Sequence, residues 1–383
     1  MKSLNSYGPS RGRRGFTLIE LMVAALVGTI VVAGIYLLYN QSVKSYRIQD
    51  QSLDALGQLR TGIHQLKTDL RSAGYNAPCQ SDVETWVTTP PGLTLSAIAV
   101  EVDDVAPVAH EAQNTSIQPQ RIRVLGDFWS HRTYTTEAVS GQTVTLRWGP
   151  EDGNQQEFER VFNPRRLLRI ETYGVIRAEQ LIPIMSANYG GGLNPTVTLA
   201  NVVQDIGGFG TGNEVSVVGY VRYRLMQDTR RNDESIKIDL IREELMPNGD
   251  ASEGTALIIA ENIVDLQVYD ICMNTQPPAA GTMIQRPITP GVTLQCFQNM
   301  DALAGAGRSL ATNSGNESHM LRSLTVKLAG RTPYEDPDVP FAPRQIIDEP
   351  LRAYELDPEL PGAARVFELA AMTTLTSIQA RRQ

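Results

Sequence analysis

The sequence is poor in the residues that carry most protein chemistry. Three cysteines in 383 residues, Cys79, Cys272 and Cys296, show no C-x-x-C spacing. That excludes a disulfide-dense scaffold and the common zinc and redox motifs, and leaves room for one intrachain disulfide. Four histidines, His64, His110, His131 and His319, stand in no H-E-x-x-H or other close ligand spacing, so no metal site is expected. No G-x-S-x-G elbow surrounds a serine, and Cys79 lacks a nucleophile context. The glycine run from Gly207 to Gly212 lacks the Lys-Ser/Thr ending of a phosphate loop and leads into a strand. The stretch from Asn248 to Glu253 lacks the full calcium-loop pattern and reads as a surface turn. Asp103-Asp104 and Asp233-Glu234 read as solvated charge. The chain is thus expected to be no enzyme and to carry no cofactor. Basic charge is also in deficit, 34 Lys+Arg against 42 acids for a net −8, which argues against a nucleic-acid partner.

What the sequence does contain is a long hydrophobic run with an unusual flank. Residues 1–15 carry Lys2, Arg11, Arg13 and Arg14 and no acid. From Phe16 to Val43 only Glu20 is charged. A helix rises about 1.5 Å per residue, so roughly 20 such residues cross a bilayer. The basic leader then stays cytoplasmic. A secretory signal places its cleavage site after the apolar region and discards that region. Here the small residue Gly15 precedes it, so a cut there would remove the charges and keep the helix.

Arg14-Gly15-Phe16-Thr17-Leu18-Ile19-Glu20 resembles the G-F-T-L-I-E signature of type IV pilins and pseudopilins. The resemblance implies cleavage between Gly15 and Phe16 by a prepilin peptidase, with N-methylation of Phe16 by the same enzyme. It also implies that Glu20 sets subunit register by meeting the N-terminal amine of a neighbour. Physical chemistry points the same way, because a carboxylate in a lipid-embedded helix costs about 2.5 to 3.5 kcal/mol at helix centre and calls for a cation. Further on, Asp69-Leu70-Arg71-Ser72-Ala73-Gly74-Tyr75 resembles the end of the helix in the PilW family of minor pilins.

Between Phe16 and Ala77 there is no proline, and Leu53, Leu56, Leu59, Ile63, Leu66 and Leu70 recur at steps of three or four. One helix from Phe16 to Ser72 is expected, with Asp54, Arg60, Lys67, Asp69 and Arg71 on its other faces. Gly74 is its expected stop. Gly57 and Gly62 are candidate points of close packing or bending. Beyond it, strands are expected over Leu93–Val100, Gln142–Trp148, Leu167–Arg177, Thr196–Val203, Ile263–Ile271 and Leu321–Leu328. The clearest hairpin puts Val215, Val217, Val221, Tyr223 and Leu225 on one parity and Ile236, Ile238 and Leu240 on the other strand, with a polar turn between. Seven prolines and eight acids over 331–361 suggest an extended surface segment, and 365–378 a terminal strand.

The expected fold is therefore α+β and type IV pilin-like: a long N-terminal helix with a membrane half and an amphipathic half, packed on an antiparallel β-sheet with large β-rich insertions. Its parts are a leader (1–15), a transmembrane or filament-core half (16–43), an amphipathic half (44–75) and an extracytoplasmic β-rich part (76–383). Cys272 and Cys296 would both lie in the oxidising compartment with a short loop between them, and their pairing would contribute about 3 kcal/mol in the chain-entropy model. Pairing of Cys79 with either stays open. The resemblance implies a minor pilin that helps prime pilus assembly and sits at or near the filament tip. Its implied partners are the prepilin peptidase, other minor pilins, the major pilin and a tip adhesin. It would be an inner-membrane single-pass protein first and part of the pilus later. A minor pseudopilin of type II secretion, or a tip adhesin or adaptor subunit, are the competing readings.

Overall fold

The computed structural model describes residues 17–79, 81, 84, 86–91, 93–104, 106–108, 114, 117–173, 177–192, 194–204, 210–227, 237–274, 294–312, 315–342, 349–359 and 362–380. Two compact units, Met1–Leu53 and Asp54–Gln383, share one long helix, α1 (Leu18–Arg71). In the first unit the apolar side chains of α1 are exposed as far as Leu53, apart from the half-buried Val43 and Ile48, and an 18-residue window has a mean hydropathy of 2.5. An element apolar all round is one that lipid or other helices surround.

In the second unit α1 buries Ala55, Leu59, Gly62, Ile63, Leu66 and Leu70. Leu53, expected in this stripe, is 69% exposed, and Asp69, expected on a polar face, is buried. Gly62 is where the helix approaches the sheets: a Cβ there would lie 2.9 Å from Leu328 Cδ1 and 3.2 Å from Ala260 Cβ. Gly57 has open space around it. The helix ends at Gly74, whose φ of +72° is a left-handed conformation that glycine adopts without strain. The Gly74 N–H donates to Leu125 O at 2.8 Å, so the stop is also a docking point.

The strands in chain order are β1 (Val87–Thr88), β2 (Ile98–Val102), β3 (Gln120–Gly126), β4 (Tyr134–Ser140) and β5 (Thr143–Arg147), followed by α2 (Gln155–Val161). Next come β6 (Leu167–Tyr173), β7 (Arg177–Asn188), β8 (Thr196–Leu199), β9 (Glu214–Gln227), β10 (Ile238–Leu245) and β11 (Leu257–Ala260). The chain ends with β12 (Ile263–Asn274), β13 (Leu294–Asn299), α3 (Met300–Gly305), β14 (Leu321–Arg331), β15 (Ala353–Tyr354), β16 (Ala364–Thr374) and α4 (Thr376–Ala380). The end of the chain thus turns into a short helix rather than continuing as a strand to Ile378. Within 331–361, Arg331, Thr332, Leu351, Ala353 and Tyr354 are buried, so this proline-rich stretch is partly core and not only surface.

Two sheets cover the helix. The smaller runs β13-β12-β14-β16-β15, all antiparallel. Cys272 and Cys296 face each other in the β12–β13 register and are disulfide-bonded. Cys79 lies elsewhere as a buried thiol, 3.8 Å from Ile378 O. The larger sheet has β2, β3, β9, β10 and β11 beside the helix, where Tyr223, Leu225 and Leu240 meet Leu66 and Leu70 in one core. The β9–β10 pairing is the expected hairpin; its turn and Ile236 lie outside the described residues.

The first half of β9 belongs to something else. Successive antiparallel pairings β9-β6-β7-β8-β5-β4-β9 close a ring of six strands. Alternate residues of five of the strands fill it: Leu168 and Ile170, Ile182 and Ile184, Val197 and Leu199, Val144 and Leu146, Val215 and Val217. A small barrel has room only for such side chains. Tyr134, Trp148, Phe158 and Phe162 add an aromatic cluster with ring centroids 4.8 to 6.1 Å apart. At Gly219 β9 leaves the barrel beneath Trp129, whose ring would lie 2.7 Å from a Cβ at that position. Arg166 packs at the same place, its guanidinium 3.7 Å from the Trp129 ring centroid, and pairs with Glu244. Burial holds the Arg166 guanidinium down at about 10, against partial support from Glu244.

Candidate processing and assembly site

Gly15 and Phe16, the expected cleavage junction and methylation position, lie outside the described residues. The site is described from Thr17 onward. Thr17 precedes the first helical residue, and its hydroxyl accepts the Glu20 N–H at 3.3 Å. In return Glu20 Oε2 accepts the Thr17 backbone N–H at 2.9 Å and the Thr17 hydroxyl at 3.1 Å. This is a reciprocal capping box, which satisfies two of the N–H groups that the start of any helix leaves without partners. The signature T-x-x-E of such a box is present in the sequence at Thr17–Glu20.

The cap also places charge. Oε2 is occupied one residue away from the Phe16 nitrogen, while Oε1 accepts no hydrogen bond among the described residues. Glu20 is exposed and is the only acid or base between Thr17 and Val43. One oxygen can therefore keep the helix capped while the other receives a cation.

The second half of the site fixes the helix to its sheets. Asp69 Oδ2 accepts from the Tyr223 hydroxyl at 2.6 Å and from Arg242 Nε at 2.6 Å. Gln65 Nε2 reaches Asp69 Oδ1 at 3.4 Å. Burial, and then the Asp69 charge, push the Tyr223 hydroxyl well above its usual value. Burial opposes the charge on Arg242, but Asp69 and Tyr223 outweigh it and raise that group. The stretch from Asp69 to Tyr75 has a physical reading residue by residue. Asp69 is the buried anion, Leu70 and Ala73 are fully buried, and Gly74 supplies the turn. The Arg71 carbonyl accepts from Ser377 Oγ at 2.8 Å. Ser72 O lies against Gly126, where a Cβ would come within 2.4 Å. Tyr75 is 39% exposed rather than packed beneath the helix end.

Other sequence candidates dissolve in the fold. Asn248 and Asp250 hydrogen-bond each other within a turn, Asn248 Nδ2 to Asp250 Oδ2 at 2.7 Å. Asp103 is buried, not solvated, with Arg121 Nη1 at 3.8 Å. Asp233-Glu234 and residues 207–209 of the glycine run lie outside the described residues. No group of three or more potential metal ligands occurs among the described residues.

Residues 10–36 match the family model of the prokaryotic N-terminal methylation motif. No curated protein and no solved structure matches the chain. The motif supports a type IV pilin or pseudopilin subunit. A long apolar N-terminal helix followed by a β-sheet-rich part fits an α+β, pilin-like arrangement, and is consistent with anchoring in the inner membrane.

Proposed function

We propose that the chain is a non-enzymatic minor pilin of the PilW type, which helps prime type IV pilus assembly and occupies the filament tip. A prepilin peptidase would cut after Gly15 and methylate Phe16. The open oxygen of Glu20 would then meet the amine of a neighbouring minor or major pilin. The observation that carries the tip assignment is the six-stranded barrel built onto the helix-covering sheet. A subunit repeated along a shaft must leave room for identical neighbours on all sides, and a bulky second core is accommodated most easily where the stack ends. Before assembly the β-rich part would face the periplasm.

The test is a chromosomal, epitope-tagged full-length chain. N-terminal sequencing of its membrane form is expected to begin at methylated Phe16. Affinity capture from solubilised envelopes is expected to bring other minor pilins, deletion to lower pilus number, and tag labelling to fall on filament ends. Start sites at Met1 or within Leu21–Val43, or labelling along whole filaments, would overturn this reading. Capture of secretion pseudopilins would instead favour the type II secretion alternative, which the shared N-terminal motif keeps in view. Capture of a large non-pilin partner would add an adaptor role for a tip adhesin.

A further inference from the structure

The face of the larger sheet turned away from α1 carries a row of side chains that runs across four strands. Ala99 pairs with Arg123, Arg123 with Arg222, and Arg222 with Glu243 in the β2-β3-β9-β10 register. Two arginines directly opposite each other are a destabilising cross-strand pair. Arg222 is compensated, since its Nε reaches Glu243 Oε1 at 2.8 Å, and Arg224 shares the same carboxylate at 2.7 Å. Arg123 is not. Among the described residues it makes no hydrogen bond or ion pair; its guanidinium lies over the Tyr220 ring at 4.6 Å, and its buried Nε has no acceptor.

Beside Arg123 is a recess of about 310 Å³ lined also by Glu101, Arg121, Arg222, Asn248, Asp250 and Thr312. Its acids are already committed. Glu101 takes two hydrogen bonds from Arg121, at 2.8 and 3.0 Å, and one from the Thr312 N–H at 2.8 Å. Asp250 is held by Asn248. Arg123 is the one cation of the recess with neither an ion pair nor a hydrogen bond among the described residues, while the exposed Asp250 has the neutral Asn248 amide as its partner. Gly249 borders it with no side chain, and a Cβ there would lie 3.5 Å from Arg123 Nη1.

We infer that this recess binds a small hydrophilic carboxylate, of the size of one hexuronate ring, through the Arg123 guanidinium. The planar fork of arginine matches a carboxylate with two parallel hydrogen bonds. One open guanidinium with the carboxylates of Glu101 and Asp250 beside it favours a monoanion over a dianion such as phosphate. Thr312, Asn248 and the nearby carboxylates offer donors and acceptors to ring hydroxyls. A concave polar recess of this volume suits a small molecule, whereas protein interfaces have apolar centres. The assignment does not depend on the pilin reading, because none of these residues lies in the helix or its cap.

The test is ligand-observed saturation-transfer NMR on the full chain in detergent, titrating D-glucuronate, methyl glucoside as the neutral isostere, and inorganic phosphate. Saturation of glucuronate is expected, weakening as salt rises, with little from the glucoside or phosphate. Arg123→Gln is expected to weaken glucuronate binding ten-fold or more. Because that change also removes the stacking on Tyr220, the exposed Thr312→Glu provides a second variant. It places a repelling carboxylate at the rim, and is expected to weaken binding similarly with an unchanged melting temperature. No binding to the wild-type chain, equal binding of glucoside or phosphate, or wild-type affinity in both variants would overturn the inference.

Discussion

Glu20 has a capping role in the helix and a proposed role in assembly, which a conservative substitution can separate. Glutamine retains a side-chain oxygen to accept the Thr17 N–H, so Glu20→Gln is expected to leave helix capping, insertion and leader removal intact while deleting the charge offered to a neighbour's amine. Pilus number and two-hybrid signal against other minor pilins are expected to fall, because an ion pair excluded from water is worth more than in water. A normally processed variant that is normal in both assays would remove the assembly role. At Asp69 the prediction concerns stability. Asp69→Ala leaves the half-buried Arg242 without its anion and is expected to cost at most the ~3–5 kcal/mol typical of breaking a fully buried pair, measurable by denaturant unfolding. Tyr223 adds a pH signature. Its folded-state value is raised above the ordinary 10.0, so the unfolded chain loses this proton first as pH rises. Stability contributed through Tyr223 is thus full below about pH 10 and lost above it. Melting temperatures measured from pH 8 to 11 are expected to fall at the alkaline end, and less steeply in Tyr223→Phe.

Elements differ in how openly the sequence announces them. The helix was readable because two signals coincide over one stretch without proline: a charge-free run, then leucines at helical spacing. Its details were not. Asp69 looks like a surface acid until Tyr223 and Arg242, far along the chain, come to it. The expected strands that appear, such as β5, β6, β8, β12 and β14, have alternating β-branched residues. β7 contains Pro183 and had no such signature. It is tolerated because Pro183 stands at the end of the β6 ladder and just before a bulge against β8. The barrel was invisible for another reason: ring closure is a property of pairings between distant strands, and no window of residues contains it. The helix-sheet contact yields a prediction of its own. Gly62→Val adds methyl groups where Leu328, Ala260 and Leu240 already crowd a Cβ, and overpacking of this kind costs about 1–3 kcal/mol. The same change at Gly57, which faces open space, is expected to be nearly neutral. A comparison of the two unfolding midpoints checks this.

For the β-rich part as a whole, the controlling fact is that β9 serves two cores. Val215 and Val217 fill the barrel, and Val221, Tyr223 and Leu225 pack under the helix, on one uninterrupted strand. Cores joined by a flexible linker unfold separately; these are expected to unfold in one transition. Val217→Ala in the barrel and Val221→Ala under the helix are each expected to shift the same single calorimetric peak, and two resolved peaks would contradict it. The junction at Gly219, filled by Trp129 and clamped by Arg166, leaves no slack between the two. Mechanically, β9 is expected to transmit tension between the two cores. A pull applied to the barrel runs along the strand, where the ladders on either side are sheared together instead of being unzipped bond by bond. Stretched between its barrel and its helix, the domain is expected to hold as one piece and give way in one step, a property that would suit the proposed place at a filament tip.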